Sequence, residues 1–199
     1  SLEFSEIIVE MGIKAVTTSA GFTEAVVDYL KGRGVKVLHV VANVKGAQKA
    51  EAAGVDAVIA EGTESGGLQG HGGVSTMVLM PMVVDAVSIP VVAAGGIGDS
   101  RGFEAAFALG AKGVQVGTRF IASHECVAHA DFKKSICKAK GTDTILFGSG
   151  SLLARVIRTP FVEGTPQSLE EKSIEDVALI QKKTWIDGDL TAGAFPAGQ

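Results

Sequence analysis

Few features of this 199-residue chain point to membranes, secretion or nucleic acid. No apolar run approaches the ~18 residues of a membrane-spanning helix. The opening residues carry Glu3, Glu6 and Glu10 rather than a basic segment followed by an apolar one, so no signal peptide is read and the expected location is the cytoplasm. Basic residues are not in excess: the formal net charge is -4, and Lys36, Lys45 and Lys49 lie scattered among apolar and acidic neighbours. Without a basic patch, neither nucleic acid nor an anionic membrane surface is an expected partner. Aromatics are scarce at 6%, and there is no fixed-period repeat beyond an α/β unit and no low-complexity tract. The two cysteines, Cys126 and Cys137, have neither CxxC spacing nor a His pair suited to zinc, and they read as reduced, partly buried thiols. Cys126 lies near His124, but nothing supplies the third group that would orient a nucleophile. No metal site is expected; His124 and His129 read as structural or solvated, and His39 as a packed core histidine.

What is abundant is apolar and glycine content, 46% and 26 residues, which suits one compact α/β domain. Five β-branched runs recur, at Ala15–Thr18, Val35–Val41, Ala57–Ala60, Val91–Ala94 and Gly113–Val116. They are apolar on both faces, as covered strands of a parallel sheet should be. Helical patterns occupy Ser5–Met11, Thr23–Arg33, Lys45–Ala53, Ser75–Val87 and Arg101–Leu109. Gly32, Gly54 and Gly110 close three of them, and Asp99-Ser100 is the N-cap of the last. A strand, loop, helix rhythm of this kind builds either an open doubly wound sheet or part of a barrel. After Lys140 the rhythm changes: Gly141–Gly150 is loop-rich, Leu152–Ile157 is apolar, and Ser168–Trp185 reads as a charged amphipathic helix opened by a Ser168/Glu171 capping box.

Chemistry concentrates at the strand ends, where parallel α/β folds bind ligands. After the third run comes a polar glycine loop, residues 61–73. Glu61 sits at the strand end, where an ionised carboxylate accepts hydrogen bonds from sugar or ribityl hydroxyls. His71 is the one imidazole of the loop and the candidate general base. After the fourth and fifth runs come Gly95-Gly96 and Gly117-Thr118, where backbone N–H groups can approach an anion with no Cβ in the way. Arg119 adds charge beside them. Together these ends read as a grip for a phosphate-tailed cofactor.

Glu61-Gly62-Thr63-Glu64-Ser65-Gly66-Gly67, Ala93-Ala94-Gly95-Gly96-Ile97 and Gln115-Val116-Gly117-Thr118-Arg119-Phe120 together resemble the nitronate monooxygenase family, which includes flavin-dependent enoyl-acyl-carrier-protein reductases. The resemblance runs from about Ile7 to Lys138, with a looser echo in Ala197-Gly198-Gln199. It implies a TIM (β/α)8 barrel of the FMN-dependent type, of which the five runs are the fourth to eighth strands. The barrel portion would be residues 1–140, and residues 141–199 a lid-like helical appendage. Gly95, Gly96, Gly117 and Thr118 would then hold the FMN phosphate, Glu61 would lie near the ribityl chain, Gly66 and Gly67 along the flavin, and Gln199 close to it.

Two departures from the family pattern stand out. Leu68 occupies the position where the family places its catalytic His, so His71, three residues on, would have to supply the imidazole. The first three strands also have no counterpart before Ser1, so the chain is expected to be a fragment with open sheet edges that favour a homo-oligomer. The implied function is FMN-dependent oxidation of alkyl nitronates or nitroalkanes with molecular oxygen. The alternatives are a flavin-dependent enoyl-thioester reductase or NAD(P)H:quinone reductase, and a non-catalytic phosphate-binding barrel fragment.

Overall fold

A computed structural model describes the chain except residues 1, 20–23, 71, 149, 151–152 and 166–178. In chain order the first elements are α1 (Leu2–Glu10), β1 (Ala15–Thr18), α2 (Glu24–Lys31), β2 (Lys36–Val41), α3 (Val44–Ala52) and β3 (Ala57–Glu61). Next come β4 (Gly67–Leu68), α4 (Thr76–Val84), β5 (Val91–Ala94), α5 (Ser100–Ala108), β6 (Gly113–Gln115) and α6 (Thr118–Ile121). The remainder holds α7 (Ala130–Lys138), β7 (Thr144–Phe147), β8 (Ala154–Ile157), α8 (Pro160–Gly164) and a π turn at Lys183–Asp187. Two compact units divide these elements: residues 1–62, 71–94 and 99–115 in one, and residues 63–70, 95–98 and 116–199 in the other.

The first unit is a five-stranded parallel sheet in the order β1-β2-β3-β5-β6. Spatial order follows chain order without reversal. A doubly wound sheet reverses at its switch point, so that alternative falls away and a parallel half-barrel remains. Central β3 is buried in its first four residues, with Val58, Ile59 and Ala60 at 1% exposure or less. Burying one such side chain as large as Ile59 stabilises by about 1.5–3 kcal/mol. The two-faced burial expected of every run fails at the edges: β1 alternates exposed and half-buried, and β6 is half-buried throughout. Edge strands have a neighbour on one side only, which leaves part of each face to solvent.

The helices of this unit begin where short polar side chains satisfy first-turn N–H groups. Asn43 Oδ1 accepts from Gly46 N at 2.8 Å to open α3. Asp99 Oδ1 accepts from Arg101 N at 3.0 Å and Gly102 N at 3.3 Å to open α5. The Arg101 guanidinium pairs with the same carboxyl and, with the Gly102 amide, lowers its pKa from 3.8 to about 2. Leu79, Met80 and Val83 bury the inner face of α4. Helix α4 ends at Val84, three residues before the Val87 expected, where the Ala86 amide leaves the α pattern and tightens onto Val83 O at 3.0 Å. His39 is 7% exposed and its Nδ1 lies 2.8 Å from Thr18 Oγ1, the packed histidine that was expected.

The second unit is built on an antiparallel sheet, β4-β8-β7. This corrects the loop reading of Gly141–Gly150, since β7 lies inside it and pairs Thr144 with Ile157 and Phe147 with Ala154. Phe132, Phe195 and Trp185 pack edge to face, with Phe132 centroids 4.8 Å from Phe195 and 5.2 Å from Trp185. His129 Nδ1 accepts from Asp131 N at 3.2 Å and so caps α7. Gly188, at φ +63°, passes so close that a Cβ would fall 2.0 Å from that same nitrogen. Cys126 is half-buried, whereas Cys137 is exposed, not the partly buried thiol expected, because it lies on the outer side of amphipathic α7. The Ser168/Glu171 box and most of the helix expected there lie outside the described residues; from Leu179 the chain is helical into the π turn.

Candidate functional site

In the first unit, β3 ends at Glu61, which is half-buried and paired in register with Ala94 of β5. The next residue, Gly62, is not among the expected site residues but is tightly placed. Gly62 N donates to Ala94 O at 3.0 Å, and Thr76 Oγ1, at the start of α4, donates to the same oxygen at 3.1 Å. A Cβ at Gly62 would meet Thr76 Oγ1 at 2.2 Å and Thr76 N at 2.3 Å, so the strand end and the helix start touch backbone to backbone. One signal was legible in the sequence: a Gly immediately after the strand-end acid.

The second unit carries Gly66, Gly67, Gly95, Gly96, Gly117 and Thr118. Contacts through Glu64 and residues 197–199 link Gly66, Gly96 and Thr118. Gly96, at φ +70°, lies against Glu64, whose Cβ would be 3.2 Å from a Cβ at that position. Glu64 O accepts from Gln199 N at 2.8 Å, and Gly198 N donates to Thr118 Oγ1 at 2.8 Å. A Cβ on Gly66 would stand 2.5 Å from Ala197 C and Gly198 N. Glycine at 66 is therefore required by the close passage of Ala197 and Gly198.

Among the described residues, no protein acceptor meets the backbone N–H of Gly96, Gly117 or Thr118. Where a side chain would stand at Gly117 there is open space to 4 Å. Bare amides beside a hydroxyl and an open approach suit an anion with several acceptor oxygens, such as a phosphate. The residues therefore fit a phosphate-bearing cofactor on this chain's own geometry. Among the described residues no three His, Cys, Asp or Glu side chains gather as metal ligands, and no helix is long and apolar enough to cross a membrane.

Arg155 supports the loop that leads to Gly66. It is only 9% exposed, and its Nε donates to Thr63 O at 2.7 Å while Nη1 donates to Thr144 Oγ1 at 3.2 Å. Burial pushes the guanidinium pKa down and the nearby Glu64 charge pushes it back up. Arg155 did not stand out in the sequence as a site residue, and Gly198 did so only as part of the Ala197-Gly198-Gln199 echo, because each lies far along the chain from the residues it serves. Leu68, on β4 opposite Ala154, is 59% exposed. His71, the proposed base, lies outside the described residues.

The chain matches the family model described as nitronate monooxygenase over residues 5–197. It is 41% identical over 151 residues to a probable nitronate monooxygenase of Staphylococcus saprophyticus, covering 71% of this chain and 42% of that protein. A probable nitronate monooxygenase of Staphylococcus aureus is 40% identical over 154 residues, covering 73% and 43%. Among solved structures, FabK from Thermotoga maritima superimposes with a TM-score of 0.90 at 42% identity, covering 98% of this chain and 64% of that one. A nitroalkane oxidase of Streptomyces ansochromogenes gives 0.83 at 28% identity, covering 98% and 60%. The chain thus spans less than half the length of these curated relatives.

Proposed function

The chain belongs to the nitronate monooxygenase family, and from that premise we propose that it is part of an FMN-dependent oxidoreductase that oxidises alkyl nitronates with molecular oxygen. The observation that carries this reading is the set of unpartnered amides at Gly96, Gly117 and Thr118, tied into one cluster by Glu64 and Gly198. Gly95, Gly96, Gly117 and Thr118 would bind the phosphate, Glu61 would accept from the ribityl hydroxyls, and Gly66 and Gly67 would lie along the flavin. The flavin, when bound, supplies the redox chemistry; the protein holds its phosphate and orients the substrate. His71 is the proposed base for neutral nitroalkanes, whereas a nitronate arrives already deprotonated and needs none.

In this reading the five parallel strands are the fourth to eighth of a (β/α)8 barrel. Residues 1–140 are then the barrel portion and residues 141–199 a lid-like appendage. The two free thiols favour the cytoplasm, and a homo-oligomer is the expected assembly. Supplying FMN to the purified chain and recording which of propyl-2-nitronate, NADH or NADPH bleaches the flavin without oxygen tests the assignment. Bleaching by the nitronate is expected, and a chain that leaves FMN unbound would overturn it.

A second reading, flavin-dependent reduction of an enoyl thioester, is favoured by one observation: identity to FabK, 42%, exceeds the 28% to the nitroalkane oxidase. Bleaching by NADH or NADPH but not by nitronate would select it.

A further inference from the structure

The segment Phe195–Gln199 is fastened along the second unit by a run of backbone contacts. Phe195 is fully buried and its carbonyl accepts from Ile157 N at 2.8 Å, Pro196 bridges to Val156, and Ala197 is 2% exposed. Beyond them, Gly198 N donates to Thr118 Oγ1 and Gln199 N donates to Glu64 O, both at 2.8 Å. The fit leaves no room for a side chain: a Cβ on Gly198 would fall 2.6 Å from Glu64 O.

A threonine hydroxyl has one proton to donate and two lone pairs to accept with. Left alone beside a helix start it turns freely, and much of the time its proton points to a backbone carbonyl. Once the Gly198 amide occupies a lone pair, the remaining proton is turned away from Gly198. The bare Gly117 and Thr118 amides belong to the same turn. Building on the phosphate reading given above, we propose that Phe195–Gln199 is a positioning strap for phosphate recognition. Its Gly198 amide holds the Thr118 hydroxyl as a donor to the anion, and Gly198 and Gln199 act through Thr118 and Glu64 without touching the ligand themselves.

The test compares FMN with riboflavin, which lacks the phosphate, by quenching of flavin fluorescence. Gly198→Ala, which drives the strap off Glu64, should weaken FMN about tenfold more than it weakens riboflavin, the loss of one charge-assisted hydrogen bond. Thr118→Val should do the same, Thr118→Ser should restore most of the affinity, and the Gly198→Ala/Thr118→Val pair should be no worse than Thr118→Val alone. In the wild-type chain, which no folding defect can confuse, the Gly198 amide resonance should move with FMN and with inorganic phosphate but not with riboflavin. Equal loss of both flavins in Gly198→Ala, additive losses in the pair, or a Gly198 amide that ignores phosphate would overturn the strap while leaving FMN binding intact. A wild-type chain that binds no FMN would remove the functional reading and the strap together.

Discussion

Replacing Arg155 by Met keeps most of the side-chain volume and removes the fork that holds the 63–67 loop. Two acceptors then lose their partner inside the second unit: Thr63 O, bonded by Nε at 2.7 Å, and Thr144 Oγ1, bonded by Nη1 at 3.2 Å. A hydrogen bond from a charged donor contributes about 1.5–3 kcal/mol, and the longer contact to a hydroxyl contributes less. Against this, Met relieves the desolvation of a guanidinium that is only 9% exposed, which offsets part of the loss. The net expectation is a destabilisation of about 2 kcal/mol. For a chain of this length that lowers the unfolding midpoint by roughly 4–8 °C. Arg155→Lys keeps the charge but cannot make both bonds in plane, so its midpoint should fall between the two. The assay is thermal unfolding followed by circular dichroism, with FMN affinity measured in parallel. A midpoint for Arg155→Met within about a degree of wild type would refute the assignment of Arg155 as the loop's support.

Three other outcomes are expected. Gly62→Ala places a methyl 2.2–2.6 Å from Thr76 atoms that include its backbone, so it should destabilise by at least the ~1–3 kcal/mol of ordinary overpacking, read as a lowered denaturant midpoint. Gly117→Ala meets nothing within 4 Å, so stability should hold within ~0.5 kcal/mol while FMN affinity falls about tenfold or more because the methyl fills the open space beside the amides and holds the phosphate off them; an FMN titration unchanged from wild type would contradict the phosphate role. Asp99 is held at about 2, below its ordinary 3.8, so its contribution to folding is complete above pH 4 and is lost as pH falls through 2. The stability gap between wild type and Asp99→Asn, followed by unfolding at a series of pH values, should therefore close between pH 4 and pH 2.

The parallel unit was legible because its signals are local. Each of the five β-branched runs became a strand within one or two residues of its expected limits, and Asp99 capped α5 as its position before Arg101 suggests. Differences at the ends have local causes too. Val35 is not part of β2 because its N–H turns back to Leu30 O and closes α2. The antiparallel unit was illegible for the opposite reason. Four-residue β7 carries too little pattern to separate it from a glycine-rich loop, and its sheet recruits Gly67 and Leu68 from more than eighty residues away. The glycines of the candidate site were visible, but the residues that hold them, Arg155 and Gly198, gain their meaning only from long-range contacts.

The most direct test is to follow the backbone amide resonances of Gly96, Gly117 and Thr118 in an isotope-labelled chain as FMN is added. The account predicts that all three move together, with one dissociation constant, and that riboflavin leaves them in place. Resonances that stay still while FMN binds, or that move equally with riboflavin, would show that these amides do not hold the phosphate.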